Sequence, residues 1–173
     1  MTATGLDTIE SISDPILTQA VIGSVGNAFS MCNISAKLAG VATVPTGEPG
    51  LITGMIGVHG KVSGFVTVNI PERMAIRSVE GLLQDNYGQL TSQVVDGVGE
   101  ITNIIVGGIK SALAGSSWGF SHITVPSVIV GQKYNIAFSR GVDFLCVTFE
   151  HSDDEAVLLE DRLMNVCISL LRL

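Results

Sequence analysis

Apolar residues between Thr91 and Gly115 recur at steps of three and four. Val94, Val98, Ile101, Ile105, Ile109 and Ala112 therefore share one side of a helix, and the spacing predicts one over about 90–113. Asp14-Pro15 reads as another helix start, with Asp as cap and Pro in the first helical position, and that helix is expected to run to about Cys32. A third helix, PERMAIRSVEGLL, opens at Pro71, and Gln84 to Gly88 forms a loop after it. Between these lie runs of Val, Ile and Thr bounded by Gly and Pro, which read as strands. The first half offers 37–44, 51–58 and 61–70, with a loop over 45–50 and a tight turn at His59-Gly60. The second half offers 123–130, 133–139 and 142–150, separated by Gly131 and by an Arg140-Gly141 turn. A charged loop from His151 then leads to a last expected helix over 154–170, with Leu158, Leu159, Leu163, Val166, Cys167 and Leu170 as its apolar residues.

Each half thus reads helix, three strands, helix. The likeness is one of pattern and not of residue identity, and it predicts a duplicated unit, approximately 14–83 and 90–171, within one domain over 1–173. The expected fold class is α+β: a six-strand, largely antiparallel sheet with the two long helices, near 15–32 and 90–113, packed on one face.

Composition narrows the picture. Of 173 residues 46% are apolar, but Gly and charged residues interrupt every run before the ~18 residues of a membrane span. The first residues carry neither a basic stretch nor an apolar one, so no secretory signal is expected. The apolar excess is assigned to a large core and a homodimer interface, with the sheet edges as pairing surfaces. Net charge is −7, and the nine Lys and Arg are scattered without a basic stripe, which argues against nucleic acid and against an anionic membrane. Cys32, Cys146 and Cys167 sit in apolar contexts without metal or redox spacing, and read as buried thiols in a reducing cytoplasm. His59, His122 and His151 lack ligand spacing and are expected at the surface. Gly97-x-Gly99-x-x-Thr102 has Thr where a dinucleotide fingerprint needs its last Gly, and Lys110-Ser111 lacks the glycine that precedes a P-loop lysine. Trp118, in the loop after the helix, reads as a packing residue.

The other side of the 90–113 helix carries the candidate chemistry. Asp96, Glu100, Asn103 and Gly107 follow one another at steps of four, three and four and stack into one narrow stripe. A solvated face normally carries Lys–Glu pairs; this one sets two carboxylates and a carboxamide beside a glycine that weakens the helix. The pattern Asp-x-x-x-Glu-x-x-Asn-x-x-x-Gly resembles the signature of the CheC/CheX family of chemotaxis phosphatases, all four positions matching, and Pro126 to Gly131 resembles the segment that follows it in that family. The first helix offers only Ser24 and Asn27 at the corresponding spacing, so the chain resembles a one-site, CheX-like member, and Asn27 is expected to serve packing or capping.

The resemblance implies a cytoplasmic, homodimeric protein phosphatase acting on the aspartyl phosphate of a CheY-like receiver domain. Asn103 would orient the attacking water, Glu100 would pair with the receiver's lysine, Asp96 would contact the partner's rim or support the helix, and Gly107 would let the partner approach closely. No cofactor of its own is implied; Mg²⁺ is expected in the receiver. Two other readings stand beside it: a receiver-binding or signalling module without catalysis, and a purely structural homodimer.

Overall fold

The computed structural model describes residues 14–44, 52–131, 134, 136 and 141–173. Asp14 starts the first helix, α1 (Pro15–Met31), by accepting from Ile16 N at 3.0 Å, with Pro15 in the first turn. Its other carboxylate oxygen accepts from Trp118 Nε1 at 2.7 Å, which ties this start to the loop after the third helix. Trp118 is buried and its ring carries the Arg172 guanidinium at 4.1 Å, a packing role as expected. Strand β1 (Ala36–Ala42) follows, then β2 (Ile52–Gly60) and β3 (Val62–Ile70), which turn about Lys61. The second helix, α2 (Glu72–Leu83), leads to α3 (Ser92–Ala112), and β4 (Phe120–Ile123), β5 (Ser127–Val130), β6 (Asp143–His151) and β7 (Leu163–Arg172) complete the chain.

All described strand pairings are antiparallel, in the order β1-β6-β7-β3-β2, with β4 and β5 both on the free side of β2. Exchanging the two halves leaves this order unchanged: β3–β7 pairs with itself, β2–β3 becomes β6–β7, and β1–β6 becomes the β2 pairing with β4 and β5. The strand order is thus symmetric about the central β3–β7 pair. The same symmetry marks one face of the sheet, where Thr53, Asn69, Asn165 and Thr148 stand in one row across four strands. Thr148 Oγ1 donates to Asn165 Oδ1 at 2.7 Å, as Thr53 does to Asn69 at 2.5 Å. On the opposite face Ile52, Ile56, Val66, Val68, Val147, Phe149, Val166 and Ile168 join the apolar side of α1 and α3 in one core. The α+β sheet with two long helices on a face is therefore observed.

Several expected elements differ. Of the strand expected over 123–130 only Ser127–Val130 forms β5, with β4 (Phe120–Ile123) before it in the same edge position; together with β7 the described residues hold seven strands where six were expected. Pro126 cannot donate to a ladder, and Thr124 replaces the regular pairing, with N and Oγ1 bonding Gly57 O and N at 2.9 Å each. The last expected helix is a short 3-10 turn, Leu159–Arg162, followed by β7 at the centre of the sheet. In β7 Met164, Val166, Ile168 and Leu170 face the helices while Asn165, Cys167 and Ser169 are buried on the other face, a period of two that the expected helix overlooked. His151, expected at the surface, is 8% exposed, with Nδ1 2.8 Å from Ser35 O. The thiols are all buried, and the sheet brings Cys146 and Cys167 opposite each other with their sulfurs 2.8 Å apart. The strand expected over 133–139, apart from Tyr134 and Ile136, and the loop over 45–50 lie outside the described residues. Among the described residues no helix is long and apolar enough to cross a membrane.

Candidate functional site on the third helix

Thr91 caps α3 by accepting from Val94 N at 3.2 Å. Five of the six predicted core residues, Val94, Val98, Ile101, Ile105 and Ile109, are fully buried. The sixth, Ala112, is exposed: it is the last helical residue, and Leu113, one position on, takes the core contact instead. Thr102 is also buried, its hydroxyl donating to Val98 O at 2.7 Å while its side chain rests on Gly54 of β2. The helix therefore has its phase fixed by a continuous apolar seam against the sheet.

That phase turns Asp96, Glu100 and Asn103 outward, and all three are exposed. Among the described residues none bonds or ion-pairs with their side chains. The described arginines are committed elsewhere. Arg73 Nε lies 2.6 Å from Asp153 Oδ2 and Arg77 Nη1 2.9 Å from its Oδ1, and both reach Glu155. This clamp holds the Asp153 carboxyl below the usual carboxylate range, the Arg73 hydrogen bond being the main cause, and fixes the segment after β6 to α2. Arg162 pairs with Glu150 and Arg172 with Asp143. The carboxylates of α3 are thus left to whatever approaches from outside.

The glycines of α3 divide into two kinds. A Cβ on Gly97 would lie 2.6 Å from Val79 of α2, and one on Gly108 would lie 2.8 Å from Ser24 Oγ of α1. Gly99 faces Pro126 and Val128 at ordinary contact distance. Packing thus accounts for Gly97 and Thr102, the outer members of the apparent dinucleotide pattern. Gly107 is different: it is half-buried, and a Cβ there would meet nothing within 4 Å. A helix-weakening residue stands on the exposed stripe where the protein's own packing does not require it.

The first helix does not repeat this arrangement in the expected register. Ser24 is buried, donating to Ala20 O at 2.7 Å and packed on Gly108, whereas Asn27 is exposed, so the two do not present together. Burial matches the helices three residues away from that register: Gly23, Asn27 and Ser30 are outward where Asp96, Glu100 and Asn103 are outward. The inward faces, Val21, Val25 and Ala28 against Val94, Val98 and Ile101, supply the signal that aligns them.

Residues 52–150, more than half of the chain and spanning α3 entire, match the family described as "Chemotaxis phosphatase CheX". The chain belongs to the CheX family. Solved structures carry the same fold. Chemotaxis protein CheX from Vibrio vulnificus superposes with a TM-score of 0.75 at 23% identity, covering 90% of this chain and 99% of that one. CheX from Desulfovibrio desulfuricans gives 0.74 at 20% identity, covering 88% and 98%. The CheX-CheY-BeF3-Mg+2 complex from Borrelia burgdorferi gives 0.68 at 20% identity, covering 90% and 95%. No curated protein sequence matches the chain. Within the family match, α3 supplies the outward-facing groups best suited to chemistry on a partner. Glu100 and Asn103 lie one turn apart, a carboxylate able to hold a cation beside a carboxamide able both to accept from a water and to donate to it.

Proposed function

We propose that the protein hydrolyses the aspartyl phosphate of a CheY-like receiver domain. The observation that carries this reading is the Glu100–Asn103 pair, turned outward on a helix whose phase the core fixes and engaged by no side chain or backbone group among the described residues. Family membership supports phosphatase chemistry, and the solved Borrelia relative in complex with CheY supports the class of partner. An aspartyl phosphate is a mixed anhydride and already reactive, and the receiver brings its own Mg²⁺ and lysine to neutralise the transferring group. A well-placed water is what remains to be supplied. Asn103 accepts from that water and holds it in line; as a carboxamide it adds no negative charge beside the phosphate. Glu100 pairs with the receiver's lysine and sets the depth at which Asn103 enters. Asp96 meets the partner's rim, and the open surface at Gly107 admits its backbone. Catalysis here is by positioning, without a nucleophile of the protein's own. A homodimer is proposed on the open sheet edges, β1 on one side and the β4/β5 line on the other.

The test is the half-life of a panel of phosphorylated receivers from the same genome, with wild type and Asn103→Ala. Faster phosphate loss with wild type, abolished in the variant while binding persists, is the expected result. Binding without any acceleration would instead indicate a docking module, and no interaction with any receiver would leave a structural role.

A further inference from the structure

We infer that Lys110 and Lys61 form a second docking point for the same partner, taking a carboxylate on the receiver about 10 Å along α3 from Asn103. This rests on the receiver reading above. Lys110 follows Asn103 by seven residues, two helical turns, and so continues the stripe of Asp96, Glu100, Asn103 and Gly107. Beyond it the surface opens into a groove of about 740 Å³ lined by Gly60, Lys61, Lys110, Ser111, Ala114 and Phe120. Lys61 stands at the β2–β3 turn, and its Nζ donates to Ser116 O at 3.0 Å, which holds it at this rim.

The charge state of the two lysines separates them from the arginines. Arg73, Arg77, Arg162 and Arg172 each have a carboxylate partner. Lys61 and Lys110 have none among the described residues, although the chain carries sixteen Asp and Glu against nine Lys and Arg. Two unmatched cations in one groove of an acidic protein make a local positive site. The stripe is therefore bipolar: carboxylates at its N-terminal end, the water-positioning amide and the open glycine in the middle, ammonium groups at its C-terminal end. A partner that meets Glu100 with a cation and the lysines with an anion can dock in only one direction along the helix, so the two ends together set the orientation that Asn103 needs. Lys110 also lies in the last turn of α3, where a cation favours the helix dipole. That effect would show in stability and not in affinity.

The test compares wild type with Lys110→Gln, Lys61→Gln and the double charge reversal Lys61→Glu/Lys110→Glu, using the receiver that wild type dephosphorylates. The double reversal is expected to raise KM about tenfold with kcat within about twofold, and to remove most of the salt dependence of wild-type KM. The single Gln variants are expected to lie between. The same proteins are titrated against that receiver held in its active form by beryllofluoride and Mg²⁺, which reads docking without turnover. Unchanged KM and unchanged affinity in the reversal variant would overturn this inference while leaving the phosphatase reading in place. If wild type accelerated no receiver, the phosphatase reading would fail. In that case lysine-dependent binding of a beryllofluoride-activated receiver would still support the docking point, and its absence would overturn both.

Discussion

The two long helices, α1 and α3, lie side by side on the same sheet face, yet only α3 turns charged side chains outward. Both are capped, and both bury an apolar seam: Leu17, Val21, Val25, Ala28 and Phe29 on α1, Val94, Val98, Ile101, Ile105 and Ile109 on α3. Where α3 turns Asp96, Glu100 and Asn103 outward, α1 turns Gly23, Asn27 and Ser30 outward and carries no charged residue along its whole length. The two helices present similar apolar seams to the sheet; they differ in the three outward side chains of each, none of which the core requires, and the proposed function rests on that difference.

The largest effect should come from altering the amide of α3. Asn103→Asp is nearly isosteric but sets a negative charge beside an anionic phosphate, and should lower kcat about a hundredfold, as Asn103→Ala does. Appreciable activity in the Asp variant that rises with pH would replace water positioning with general-base chemistry. The glycines then offer a comparison within α3. Gly97→Ala must displace Val79 and should destabilise the fold by about 1–3 kcal/mol in denaturant titrations. Gly107→Ala meets open space and should instead stabilise it by about 1 kcal/mol while raising the KM for receiver several-fold. A Gly107→Ala protein that is both more stable and fully active would remove the close-approach role.

The clamp on α2, whose Val79 supports Gly97 of α3, is expected to make stability sensitive to acid. Asp153 is 4% exposed and its pKa is lowered from 3.8, so the stability it contributes is present above that value and is lost as pH falls through the lower folded value. Asp153→Asn should lower Tm by about 3 °C near neutral pH and shrink the loss between about pH 7 and about pH 3. An acid limb identical to wild type would place the sensitive carboxylate elsewhere. The smallest effect is expected at the α1 counterpart: Asn27→Ala should change stability by less than about 0.5 kcal/mol and leave turnover unchanged.

The site was legible in the sequence because α3 is amphipathic: its apolar seam sets its phase, and phase decides which side Glu100 and Asn103 share. In α1 the register was misassigned because few polar residues mark its outer face, and Ser24 can be buried by returning its hydroxyl to Ala20 O. The C-terminal strand was missed for a related reason. Met164 to Leu170 are buried on both faces of a central strand, so only Asn165 and Ser169 mark its second face, and Leu158 and Leu159, which lengthened the run toward a helix, are in fact exposed. Lys110 stands two turns beyond Asn103 but was read only as a failed P-loop lysine, and Lys61 joins it only through the β2–β3 turn, a contact that sequence spacing does not reveal.

The most direct test of the account is a single-turnover measurement. Phosphate loss from a responsive phosphorylated receiver is followed at saturating protein, with Asn103→Ala on α3 set beside Asn27→Ala on α1. The account predicts a rate about a hundredfold below wild type for the first, with the receiver still bound, and the wild-type rate for the second. Equal rates in the two variants, whether both retained or both lost, would contradict the assignment of catalysis to α3 alone.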